Sequence, residues 1–254
     1  MSMALVYVDQ GVCLPSAEAL VKQLTSLLDP AVAVLKVDGQ YVKSQPWQDK
    51  AIVFVMGGGN CRYWDEQLGA EGVEKIQRYV LGGGKFMGFC AGAYFAAAES
   101  IFVLSNGSIK KSRPLAFFPG KAFGPLVENA DYLSVEAARA ANISFKIKGV
   151  LEMGSLYYQG GCFFDIQEDS DDVEIMGRYR SLDKTSAVIC KCGDGLALLD
   201  GTHPEFKFDV SLGSESLYGQ LAGKLALQEE FRMKVWQEIG SKLMLPVRTV
   251  NVKI

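Results

Sequence analysis

The chain has 254 residues, 49% hydrophobic and 22% charged, proportions of an ordinary globular protein that exclude disordered, fibrous and collagen-like classes. Lys and Arg total 26 against 29 Asp and Glu, a formal charge of −3 that supplies no field for gathering nucleic acid or anionic lipid, so neither is expected as a partner. The length suits one large domain or two small ones.

Residues 4–8 read as a buried first strand. No basic stretch precedes them, and Asp9 ends the apolar run too early for a signal-peptide core, so a cytoplasmic protein is expected. The six irregularly spaced cysteines fit the same reducing compartment. Ser16 reads as an N-cap, followed by Ala17, Leu20, Val21, Leu24, Leu27 and Leu28 at helical spacing until Pro30 stops them. Residues 32–37 and 51–56 are continuous β-branched and apolar runs, the pattern of strands covered on both faces. Val73, Ile76, Val80 and Leu81 form one helix face that ends at three glycines, and residues 85–89 give a fourth strand.

Such alternation predicts an α/β fold with a mostly parallel central sheet flanked by helices. Short β-like segments at 115–118, 157–165, 173–179, 187–192 and 195–200 predict an excursion that is mixed and largely antiparallel. Helical spacing returns over 214–243, predicting one or two closing helices. The charge-free apolar stretch at 86–98 has 13 residues, short of the ~20 that span a bilayer, so no membrane segment is expected. Without repeats or linker-like runs, the sequence predicts a single domain over 1–254.

Chemistry concentrates at a few places. Gly88-Phe89-Cys90-Ala91-Gly92 lies where a buried strand meets an Ala-rich helical segment, the setting of a nucleophile elbow, with Cys90 on the turn; a buried inert cysteine is the bland alternative. The single histidine, His203, precedes Pro204 and Glu205, and an extended chain there turns residues 203 and 205 to one side. Thiol, imidazole and carboxylate are then available as nucleophile, base and orienting group. Gly57, Gly58 and the Ala91 amide are expected to form an oxyanion hole, since a glycine run brings backbone N–H groups close to a substrate oxygen. No Gly-Lys-Ser or Gly-Lys-Thr follows that run, which excludes a phosphate-binding loop. Cys190-Lys191-Cys192 lacks neighbouring ligands and reads as alternating strand positions; no metal and no cofactor are expected.

The elbow together with His203-Pro204-Glu205 resembles the Cys, His, Glu triad of class I glutamine amidotransferase-like domains. More closely, the phrases at 88–94, 115–120 (Leu-Ala-Phe-Phe-Pro-Gly), 157–161 (Tyr-Tyr-Gln-Gly-Gly) and 203–206 (His-Pro-Glu-Phe) resemble the N-terminal domain of eukaryotic-type biotin-protein ligases, over most of 4–208, with 209–254 as a helical closure. The resemblance implies a flavodoxin-like amidotransferase fold and a cysteine nucleophile acting on a carboxamide, small or peptidic. It assigns Cys90, His203 and Glu205 to catalysis and Tyr94, Asn60 and Tyr158 to substrate contact. Two departures qualify it. Tyr94 stands where glutaminases of this superfamily carry Gln, so free glutamine is not the expected substrate, and nothing resembles an adenylate-forming ligase module. A non-catalytic module that keeps fold and pocket to bind a small ligand or a protein partner is the second expectation.

Overall fold

Alternate residues of the first strands face opposite ways, and each face is covered by its own helices. The computed structural model describes residues 1–126, 132, 134–209 and 216–248. Strands β1 (Met3–Tyr7), β2 (Ala33–Val37), β3 (Ala51–Met56) and β4 (Lys85–Phe89) lie in the order β2-β1-β3-β4, all parallel. Leu5, Tyr7, Phe54 and Phe86 pack beneath helices α2 (Gly39–Ser44) and α3 (Trp64–Leu81). Ala4, Val6, Val53, Val55 and Met87 pack on the other side against α1 (Leu14–Leu27) and α6 (Glu229–Lys242).

The chain leaves β1 and β3 toward opposite faces, so the crevice at the carboxyl ends of those two strands is where an open α/β sheet accommodates a site. Helix α4 (Ala91–Ala96) follows β4 directly and leads into β5 (Ala97–Leu104), β6 (Gly107–Ser112) and β7 (Phe118–Gly124). After a single 3₁₀ turn come β8 (Arg139–Ile147), β9 (Val150–Tyr158), β10 (Phe163–Phe164), β11 (Val173–Tyr179), β12 (Lys184–Cys192) and β13 (Gly195–Asp200). Strand β13 returns beside β4 in parallel, with Asp200 opposite Phe89, which carries the segment after residue 200 to the elbow. Beyond it the sheet runs β12-β10-β7-β5-β6, and β11, β8 and β9 branch from β12. The fold is therefore α/β with one large mixed sheet flanked by helices.

Several boundaries differ from expectation for identifiable reasons. Strand β2 is not covered on both faces: it pairs only with β1 among the described residues, and Leu35 is exposed. Helix α1 starts at Leu14 with Pro15 in its first turn and Cys13 as N-cap, so Ser16 lies inside the helix and does not cap it. Helix α3 begins at Trp64, because buried Trp64 and Leu68 extend its apolar face across a break at Gly69. Residues 115–118 form no strand beyond Phe118; Leu115 and Phe117 are buried from a loop, Phe117 against the Phe86 ring. The excursion also contains one parallel pair, β5 with β7.

The expected closing stretch forms two helices, α5 (Leu217–Ala226) and α6, while its starting residue Ser214 lies outside the described residues. Among the described residues no helix is long and apolar enough to cross a membrane.

Candidate active site

Cys90 occupies the one-residue junction between β4 and α4, with φ 51° and ψ −105°. A side chain in that conformation is strained by roughly 1–3 kcal/mol and persists only where the surroundings fix it. They do so here: the Cys90 N–H donates to the Asp200 carbonyl at 2.9 Å, and the Cys90 carbonyl accepts from the N–H groups of Ala93 and Tyr94, both at 3.1 Å. Gly92 lets the turn close, because its N–H reaches the Gly57 carbonyl at 3.0 Å and a Cβ there would collide with the Met56 backbone. The thiol is only 6% exposed, and Sγ lies 3.6 Å from the Gln159 carbonyl oxygen.

The chain past β13 is steered by Asp200, whose Oδ1 accepts from the Thr202 N–H at 2.7 Å and the Thr202 hydroxyl at 2.8 Å. His203 then pairs with Tyr157 at the end of β9 through its N–H, 2.8 Å from the Tyr157 carbonyl, and Pro204 and Glu205 turn back beneath it. Helix α6 holds this turn: Arg232 and the Trp236 indole both donate to the Pro204 carbonyl, at 2.8 and 2.7 Å. A turn, then, and not an extended run, sets His203 Nδ1 2.7 Å from Glu205 Oε1. The carboxylate accepts only, so Nδ1 carries a proton and Nε2 is the nitrogen not held by Glu205. His203 is 5% and Glu205 2% exposed.

Burial alone pushes the His203 imidazole down, but the charge of Glu205, then that of Cys90, and the hydrogen bonds to both outweigh it and hold the ring well above its ordinary value. Asp200, entirely enclosed, is pushed up to about 6 by burial. Its Oδ2 has no hydrogen-bond partner, and neither has Glu205 Oε2.

The glycine run meets the imidazole edge. A Cβ on Gly58 would stand 2.6 Å from His203 Cε1, so close approach to the imidazole demands glycine there. The Gly58 N–H donates to Ser16 Oγ at 3.0 Å, and the Gly57 carbonyl accepts from the Gly92 N–H at 3.0 Å. These bonds hold the loop to α1 and α4.

Two of the three expected substrate contacts are internal supports. Tyr94 is buried, and its hydroxyl donates to the Gly160 and Gly161 carbonyls at 3.2 and 3.1 Å, so it braces the 159–161 segment from below. Tyr158 is buried too: its hydroxyl donates to the Gly161 carbonyl at 3.0 Å and accepts from the Leu126 N–H at 2.6 Å. Strand alternation turns its neighbour Tyr157 to the site instead, with its ring centroid 5.7 Å from that of His203. Asn60 Oδ1 accepts from the Arg62 N–H at 3.2 Å and stabilises its own turn.

Ser16, Asp200 and Gln159 are thus residues around the candidate site that sequence reasoning did not place. A surface hollow of about 690 Å³ lies at the opposite, amino-terminal ends of β3 and β4, beside Ala51 and Gly84, and is remote from this constellation.

The family model described as biotin-protein ligase, N terminal, matches residues 2–253. An uncharacterized protein of Chlamydia muridarum (strain MoPn / Nigg) is 32% identical over 254 residues, covering 96% of this chain and 97% of that protein. A biotin–protein ligase of Schizosaccharomyces pombe is 32% identical over 207 residues, covering 76% of this chain and 32% of the ligase, so the chain spans about a third of that enzyme's length. Among solved structures, a cytoplasmic protein of Salmonella typhimurium LT2 gives a TM-score of 0.51 at 10% identity, over 96% of this chain and 99% of that one, a likeness of fold alone.

Proposed function

The chain belongs to the biotin-protein ligase N-terminal family, and from that premise we propose that it is a class I glutamine amidotransferase-like domain acting as a cysteine-nucleophile amidase or amidotransferase on a carboxamide. Cys90 attacks the carbonyl carbon, His203 takes the thiol proton and delivers it to the departing nitrogen, and Glu205 fixes the tautomer and stabilises the imidazolium. The Ala91 N–H, first in α4 beside the sulfur, faces the developing oxyanion. This reading includes no biotin ligation by the chain itself. Its substrate is not free glutamine, because Tyr94 is committed to the 160–161 carbonyls.

One observation carries the reading: a buried, strained Cys90 lies near enough to His203 for its charge to raise the imidazole, whose Nδ1 meets a buried carboxylate at 2.7 Å. A second reading, a binding module without turnover, is favoured by the Gln159 carbonyl 3.6 Å from Sγ, which occupies the thiol's approach.

Limiting iodoacetamide followed by peptide mapping separates them. Cys13 and Cys61 are more exposed than Cys90, so accessibility alone predicts that one of them labels first. The enzyme reading predicts Cys90 first near neutral pH. Earlier labelling of Cys13 or Cys61 would leave the binding module.

A further inference from the structure

Ser16 sits in the first turn of α1, 189 residues from Glu205 in sequence, yet its hydroxyl donates to Glu205 Oε1 at 2.6 Å. Ser16 Oγ in turn accepts from the Gly58 N–H at 3.0 Å, and Ser16 is fully buried. Glu205 Oε1 therefore takes two donors, Ser16 and His203 Nδ1, while Oε2 is buried with none. The direction of this carboxylate consequently rests on those two bonds alone among the described residues.

We propose that Ser16 is a positioning residue that aims Glu205 at His203 and, through Gly58, ties the glycine loop to the imidazole, an inference that rests on the Cys90, His203, Glu205 reading above. A buried hydroxyl with one donor and two lone pairs can satisfy an anion on one side and an amide on the other without carrying charge itself. In low dielectric such a chain is polarised along its length, so Gly58, Ser16, Glu205, His203 and Cys90 act as one connected file. Three parts of the fold meet in it: the head of α1, the loop after β3 and the turn after β13. This placement also explains why Ser16 does not cap its helix: the hydroxyl is turned across the crevice instead of back along the helix.

The test uses the full chain and its single histidine, whose Cε1–H resonance is assigned by elimination and titrated by NMR. The groups facing that ring are Glu205 from its own turn, Cys90 from the β4–α4 junction, Asp200 from the end of β13 and Tyr157 from β9. In wild type the titration midpoint is expected well above the ordinary ~6.5. Ser16→Ala should move it down toward that value and slow Cys90 labelling at pH 7 about tenfold, the worth of a hydrogen bond to a charged group.

Ser16→Cys, close in volume and a weaker donor, should fall between the two, and it keeps the test open if the alanine variant melts too low. A purely structural serine would lower the melting temperature and leave the midpoint in place; that result, in a folded Ser16→Ala protein, overturns the inference alone. A wild-type midpoint at the ordinary value overturns the site reading and the inference with it.

Discussion

Cys90 holds φ 51° and ψ −105° against a penalty of roughly 1–3 kcal/mol, and the residues that impose this conformation, Asp200 and Gly92 among them, also build the site. Asp200 offers a separate handle. Burial pushes its carboxyl from 3.8 up to about 6, so the folded protein binds that proton more tightly than the unfolded chain. Its favourable contribution is complete below about pH 4 and is lost as pH rises through about 6. Asp200→Asn cannot ionise and keeps an acceptor for Thr202. Its stability relative to wild type should therefore climb between pH 4 and 6, by on the order of 1–3 kcal/mol, and stay level above. Urea denaturation at a series of pH values measures this, and a difference independent of pH would contradict it.

At this scale the residues with distinctive chemistry were legible: a cysteine between glycines at a strand end, and a lone histidine two residues before a glutamate. Ser16 and Asp200 were not, because a serine in a helix and an aspartate at a strand end carry no mark of their destination. Tyr157 and Tyr158 differ by one position, and in a strand that is the difference between two faces.

Elements fully buried on both sides announce themselves. Strands β3, β4 and β13 coincide with their apolar runs because each lies inside the sheet and is largely buried. Helix α2 leaves little trace in the sequence: six residues give no helical period, and the side chain of its cap Asp38, which accepts from the Tyr41 N–H, is its main local signal. Helix α3 extends beyond its periodic stretch because Gly69, at φ 60° and ψ 179°, interrupts the period. That conformation is essentially restricted to glycine, while a Cβ there would meet nothing within 4 Å. Gly69→Ala should thus destabilise through backbone strain alone, by about 1–3 kcal/mol in thermal or urea melts. Because Gly69 lies outside the site, Cys90 labelling in the folded variant should equal that of wild type. No loss of stability would mean that the break in α3 relaxes without cost.

Over the whole molecule, the parallel half of the sheet positions Cys90 and the mixed half delivers its partner. Strand β13 joins them, since its parallel pairing with β4 sets Asp200 opposite Phe89 and brings His203 over the elbow. The branch of β11, β8 and β9 from β12 lies beyond sequence reasoning, because pairing between strands distant in sequence leaves no local period. Helix α6 closes the arrangement from outside the sheet, through Trp236 and Arg232 on the Pro204 carbonyl.

The account depends on one coupling, between the imidazole of His203 and the thiol of Cys90. Its direct measurement is the rate of Cys90 alkylation by iodoacetamide from pH 5 to 9 in wild type and in His203→Ala, with melting curves to show that both are folded. The account predicts that His203→Ala labels at least ~10-fold more slowly near pH 6, the lower bound of what a positioned base contributes being larger still, and that the two rates converge toward pH 9. Superimposed profiles in two folded proteins would show that the imidazole does not act on the thiol and would contradict the account.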